Sequence, residues 1–346
     1  MKKHLLALTG TVLLVLAGIL QVIARTVTGF AEWYAVTIYP CIVGIYGRFC
    51  NLLPVSVVEL AIYFLIIFAV VYIILHFRQW LKLLEGAFGF LGLIAFLFTV
   101  NCGINYYRKP FSSYLDLEIR ESSVEELEEL CAYLVDRINE TAGDFGQPGL
   151  TRQFTLARQG QAAMENLGTE YPQLSGYYPR PKPVLVSWIL AVQQLCGIYS
   201  PFTVEANYNW QMTGYNIPHT LCHELSHLKG FMREDEANFI GYLACIGSQE
   251  DFFQYSGYLM GWVHAGNALA AQDRDAYMEL HNRLVPQAVE DLRANNAYWN
   301  RYESKVAEAA NQINDTYLKL NDQEDGVKSY GRVVDLMLAY YRNQGE

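Results

Sequence analysis

Charge is what this chain has least of. Charged side chains make up 17% of its 346 residues, against 52% hydrophobic ones. The net charge is −10, and the lysines and arginines gather into no basic stripe. That excludes nucleic acid as a partner, because phosphate backbones are held by clustered cations. Cysteine is sparse and unframed. The seven are odd in number and fit neither a zinc-ribbon spacing nor a disulfide scaffold. Cys41 and Cys50 share one stretch between apolar runs, and in an oxidising compartment they could pair. Cys222 and Cys245 read as small buried hydrophobes. The chain has no internal repeat, P-loop or dinucleotide fingerprint.

What is present in excess is apolar, and it is unevenly placed. Three runs are long enough to cross a bilayer: His4 to Ala24, Val55 to Leu75 (broken only by Glu59) and Gly86 to Ile104. Nothing of that length follows Arg108. The expected fold is a mainly α membrane protein. Residues 1–107 form the membrane region, with spans at about 4–24, 55–75 and 86–104. Residues 108–346 form a helix-rich α+β domain, large enough to bury its own core. Lys2 and Lys3 precede the first run, and Arg78 and Lys82 lie between the second and third. Arg25 and Arg48 fall in the first loop and Arg108 and Lys109 follow the third run, so the bias is weak. An N-terminus inside puts the Arg78–Lys82 loop in the cytoplasm too and the large domain outside it. The first run is longer than a signal peptide needs, so it is expected to remain as an anchor. Cleavage after Val22-Ile23-Ala24 is the alternative. The stretch 25–54 carries Phe30, Trp33, Tyr34, Tyr39, Tyr46 and Phe49 and is expected in the membrane interface. There it forms either a simple interfacial helix or a roof over a site. Glu59, close to a span end, is expected to reach water, with a functional role as the other reading.

Histidine is scarce, with 7 in the chain, yet two of them stand in His223-Glu224-Leu225-Ser226-His227. Residues four apart on a helix share a face, so His223 and His227 can hold one metal ion between them. Glu224 lies beside them, where it could take a proton from metal-activated water. Asn216 is expected as N-cap, Pro218 fits the first turn, and Gly230 supplies a stop. A zinc site needs a third protein ligand. Arg233-Glu234-Asp235-Glu236-Ala237-Asn238-Phe239 looks like the start of a second helix. Glu234 and Asn238 share a face there, so Glu234 would bind the metal and Asn238 would hydrogen-bond a ligand histidine. Ala237 would let the two helices approach. His219 lies about 12 Å along a straight helix from His227, too far to share an ion.

H-E-x-x-H followed by E-x-x-A-N resembles the gluzincin metallopeptidases, in which the first Glu of the second motif is the third ligand. The resemblance implies Zn2+, a zincin-like domain and a peptide substrate near the membrane. The gap from His227 to Glu234 is shorter than in that group, and Asn238 stands where many have Asp. Glu236 is the third ligand if the register differs. The resemblance also implies a sheet before the H-E-x-x-H helix, with Phe202 to Asn209 as the edge strand that holds an extended substrate or merely packs. More broadly, the chain resembles an uncharacterised bacterial family of polytopic membrane proteins, domain of unknown function 3810. The matching features are the three runs, Ser200-Pro201-Phe202-Thr203, Glu205-Ala206-Asn207, the two metal-type motifs and Ser329-Tyr330-Gly331. That implies an inner (cytoplasmic) membrane location.

Elsewhere, Ser122 or Ser123 is expected to cap a helix bearing Glu125 and Glu126 in its first turn. Thr151 to Leu167 and Pro286 to Leu320 are expected helices, and Tyr171 to Pro183 a connection. Pro183 to Leu190 and Gly197 to Asn209 are candidate strands. His264, Tyr330 and Arg332 are of the right type to stabilise an oxyanion, and none is assigned that role. The expected function is a membrane-anchored zinc metalloprotease acting at the outer face of the cytoplasmic membrane. The alternatives are a zinc-site membrane sensor or binding protein without turnover, and a purely structural metal site. The second is disfavoured because structural zinc sites are closed and usually cysteine-rich.

Overall fold

The computed structural model describes residues 4–115, 117, 119–120, 122–320 and 332–344. Its helices, in chain order, begin with α1 (Leu5–Thr26), α2 (Phe30–Trp33), α3 (Tyr39–Cys50), α4 (Val57–His76) and α5 (Trp80–Asn101). Helices α1, α4 and α5 are long and apolar enough to cross a membrane. The third starts six residues earlier than the apolar run, because Trp80 to Glu85 continue the helical turn before the uncharged stretch begins. α1 and α5 pack closely through small residues. A side chain added at Gly92 would meet the Gly10 carbonyl at 2.5 Å, the close backbone approach that joins helices in lipid. α4 touches α5 near their joining turn, where the Tyr72 hydroxyl donates to the Lys82 carbonyl, and Glu59 is the one buried residue of α4.

Between α1 and α4 the chain is continuously helical from Phe30 to Cys50, with a π-turn at Tyr34–Ile38 joining α2 to α3. The aromatic residues of this stretch divide between the two sides: Tyr34 and Tyr39 are buried, while Trp33, Tyr46 and Phe49 are exposed. Tyr34 donates to the Val100 carbonyl, and the Tyr39 hydroxyl meets that of Tyr199 at 2.7 Å. Cys41 and Cys50 do not pair. Both lie on α3, nine residues apart, which at 1.5 Å per residue is about 13 Å, beyond any disulfide.

The remainder comprises α6 (Val124–Thr141), α7 (Leu150–Glu170), β1 (Lys182–Pro183), α8 (Trp188–Ala191), β2 (Gly197–Ser200) and β3 (Glu205–Tyr208). Then follow α9 (Asn216–Leu228), α10 (Glu234–Ile246), α11 (Asp251–Gln272), α12 (Arg274–His281), α13 (Pro286–Asn300), α14 (Lys305–Leu320) and α15 (Arg332–Gln344). Ser123 caps α6 in a reciprocal capping box with Glu126, and Leu127, Leu130 and Leu134 form its buried face. The expected helix from 286 to 320 is broken at Arg301–Ser304. Pro183 to Leu190 is not a strand: pairing ends at Pro183, and the chain turns into α8.

The sheet order is β1-β3-β2, with β1 parallel and β2 antiparallel to β3. The segment expected at the edge, Phe202 to Asn209, therefore supplies the central strand. β2 is the edge. Strand alternation puts Lys182, Asn207, Glu205 and Ile198 on one face, and Gly197 and Tyr199 on the other.

The first face is seated on the N-terminus of α4. Glu205 accepts from the Val57 and Val58 amides at 3.2 and 3.0 Å and pairs with Lys182 at 2.6 Å. Lys182 also donates to the Cys50 carbonyl. Glu59 does not reach water. It is buried and accepts from the amides of Leu185 (2.7 Å) and Val186 (2.9 Å) and from the Tyr63 hydroxyl. Asn101, at the end of α5, donates to the Pro201 carbonyl, and Tyr199 donates to the Asn101 carbonyl. The ends of two spans are thus hydrogen-bonded directly to the sheet.

Candidate metal centre

Tyr215, not Asn216, occupies the cap position of α9, and no side chain caps the helix. Asn216 is already helical and donates instead to Asn295 Oδ1 at 2.6 Å. Pro218 sits in the first turn as expected. Gly230, at φ +88°, ends the helix in the left-handed conformation that favours glycine, and its amide donates to the His227 carbonyl. The short turn Gly230–Arg233 then sends α10 back alongside α9. They approach closely at Gly241. A Cβ there would lie 3.2 Å from the His223 amide nitrogen and 3.3 Å from His219 Nε2.

This packing brings His223, His227 and Glu234 together. The two Nε2 atoms are 3.1 Å apart. Glu234 Oε2 lies 3.4 Å from His223 Nε2, and Oε1 lies 3.6 Å from His227 Nε2. A tetrahedral zinc bound at 2.0–2.1 Å holds its ligand atoms roughly 3.3 Å apart, so this donor set has the right chemistry and size. The far nitrogens of both rings are engaged. His223 Nδ1 meets Asn238 Oδ1 at 2.9 Å, and His227 Nδ1 meets the Phe231 carbonyl at 2.8 Å. Each ring is thereby oriented with Nε2 toward the common point, as metal-binding histidines require.

Glu236, the other candidate for third ligand, points elsewhere. It is buried and accepts from the Phe111 amide at 2.8 Å. Burial pushes its carboxyl up to about 8. His219 is also buried, with Nε2 at 3.2 Å from the Asn238 carbonyl, and burial pushes it down to about 3.

Glu224 is buried beside β2. A Cβ on Gly197 would lie 2.5 Å from Glu224 Oε1, so only glycine lets the strand pass so close. Glu224 Oε2 is buried and has no hydrogen-bond partner among the described residues. Burial is the main reason its pKa is raised to about 8, and Glu234 adds to the rise. The His223 charge and the Tyr199 amide oppose it. Burial pushes His227 down to about 4. In His223 burial acts the same way but is outweighed by Glu234, so its pKa is raised. Glu234 would be raised by burial, yet the two histidines hold it down at about 2.

Of the three candidate oxyanion donors, His264 on α11 lies within electrostatic reach of His223 and His219. Its Nε2 is buried without a hydrogen-bond partner among the described residues. Arg332 sits at the start of α15, 4.0 Å from Asp235. Tyr330, with Ser329 and Gly331, lies outside the described residues. No sequence motif marked Gly197, Tyr199 or the Lys182–Glu205 pair, because each acquires its role only through strand pairing.

Residues 34–338 match the family described as "Protein of unknown function (DUF3810)". No curated protein and no solved structure matches the chain.

Proposed function

The chain belongs to the DUF3810 family, and we propose that it is a membrane-anchored, gluzincin-like zinc metallopeptidase. One observation carries this reading. His223, His227 and Glu234 each offer a ligand atom, all within 4.8 Å of one another, beside a buried carboxylate oxygen on Glu224 that has no partner among the described residues. His223, His227 and Glu234 would hold the zinc, which when bound would supply Lewis acidity toward a scissile carbonyl and acidify water. Glu224 takes the water's proton and later delivers it to the leaving amine. A carboxyl whose burial favours the protonated form is suited to hold that proton between the two steps. Asn238 and Phe231 hold the imidazoles in register throughout.

The edge strand supports a peptide as substrate. Asn209 donates to the Cys196 carbonyl, so antiparallel alternation turns the backbone groups of Gly197 and Tyr199 away from β3. An extended chain could pair along that edge and cross Glu224. For orientation, Arg78 in the α4–α5 turn and Lys82 in the first turn of α5 lie at the end of the spans remote from the sheet, and Lys2 and Lys3 precede α1. Arg25, Arg48, Arg108 and Lys109 lie toward the sheet end, so the basic residues favour a site on the outer face of the cytoplasmic membrane only weakly.

The test is Glu224→Gln in purified, lipid-embedded protein. Metal content should stay at the unmutated stoichiometry while cleavage of an unstructured protein substrate is lost. His223→Ala should lose the metal. Cleavage that survives Glu224→Gln overturns the peptidase reading, and stoichiometric zinc in His223→Ala overturns the ligand set. Metal bound with no turnover in the unmutated protein leaves the sensor or binding-protein reading instead.

A further inference from the structure

We propose that the segment Leu185–Ile189, with Ile198 of strand β2, is a second membrane contact: a monotopic surface that rests in the headgroup boundary of the leaflet entered by α4. Leu185, Trp188, Ile189 and Ile198 are 43, 55, 40 and 45% exposed, although they belong to the part of the chain outside the spans. Three of them fall within five consecutive residues, and the fourth lies on the same small sheet that this segment leaves, a concentration beyond singly scattered surface apolars.

Their position says what covers them. Leu185 and Val186 donate their amides to Glu59, in the first turn of α4. One turn further on, α4 exposes Leu60, Ile62 and Phe64. The exposed apolar residues of the span and of this segment are thus tied together at the first turn of α4. Ile198 lies on the sheet face that carries Lys182 and Glu205, which is the face applied to the N-terminus of α4. On the other side, Phe49 at the end of α3 and Leu52 just beyond it are 72 and 76% exposed. Arg48 and Arg180 flank this side, both exposed. Tryptophan among aliphatics with arginines at the rim is the composition of an interfacial surface, and one tied to a span meets lipid before it meets another protein. The sheet is one strand thick here. Ile198 lies on the face applied to α4, and its chain neighbours Gly197 and Tyr199 lie beside Glu224. The contact requires the spans but not the chemistry proposed above.

The experiment places a photoreactive phenylalanine at position 188 in the full chain, reconstituted in phospholipid nanodiscs. Phe68, on α4, serves as the lipid-facing control, and Met278, exposed on α12, as the water-facing one. Lipid adducts at 188 and 68, with none at 278, are the expected result. Adducts at 68 but not 188 overturn the surface contact and leave the spans intact. Absence at both positions overturns the spanning reading and the contact with it. A crosslink from 188 to a second copy of the chain also overturns the proposal, in favour of an interface between copies. An independent measurement uses Trp188→Phe in a Trp33→Phe, Trp80→Phe background. Brominated lipid should quench less fluorescence once Trp188 is gone, and unchanged quenching contradicts the proposal.

Discussion

Asn238 shows how much one amide can decide. Its oxygen fixes the ring of His223, and its backbone carbonyl holds His219 out of the centre. Asn238→Ala should therefore weaken metal binding by about 10–100-fold without removing a ligand, measured by competition with a chelator. Wild-type affinity in that variant would deny Asn238 its orienting role. Far from the centre, Glu126 serves α6 as capping-box partner and pairs with Arg120 and Arg342. The hydrogen bonds from Arg342 and Arg120, with the Ser123 amide, lower its pKa to about 2. Its stabilisation is thus fully present above about pH 4.5, the ordinary range, and is lost as pH falls toward 2. In Glu126→Gln the melting temperature should fall less steeply across that acid window than in the unmutated protein. The local motifs at this scale were legible in the sequence: the H-E-x-x-H spacing, a serine cap at 122 or 123 with acidic residues in the turn after it, and Gly230 as a stop. The cap of α9 was not. Asn216 carries a strong capping side chain, but it is drawn to Asn295, seventy-nine residues away.

At the scale of elements, the centre depends on how closely α10 lies along α9. Gly241 allows that approach, and its neighbours are backbone and a buried ring that cannot yield far. Gly241→Val should push the helices apart, cost about 1–3 kcal/mol of stability and draw Glu234 away from the histidines. Thermal unfolding and a zinc titration on the same sample would check both effects. Unchanged affinity would mean that Glu234 does not need the close approach. The two helices were visible from periodicity and breakers. The sheet was only half visible. Val, Ile, Tyr and Thr around Gly197 to Asn209 mark extended chain, but strand order is set by which neighbours pair. That assigned β3 to the centre and left β2 beside Glu224. Pro183 to Leu190 failed as a strand because two of its amides are taken by Glu59 rather than by a neighbouring strand.

For the whole molecule, the decisive feature is the junction between spans and sheet. Lys182 and Glu205 are 2–3% exposed and form a buried ion pair under the first turn of α4. Lys182→Met leaves the carboxylate without its cation and should destabilise the protein by about 3–5 kcal/mol, read as a lowered melting temperature in detergent. A change within error would show that the Val57 and Val58 amides suffice to hold Glu205. The sequence alone determined the properties that arise from neighbours in the chain. Apolar runs of span length, a helical pair of histidines around a glutamate and a glycine stop are local patterns with fixed periods. Only the tertiary structure decided between Glu234 and Glu236, because the register of α10 against α9 turns one carboxylate toward the imidazoles and the other toward Phe111. Only the tertiary structure withdrew Glu59 from water and set Gly197 against Glu224. These contacts join residues 27 to 127 positions apart in the chain, and no local pattern carries information over such distances.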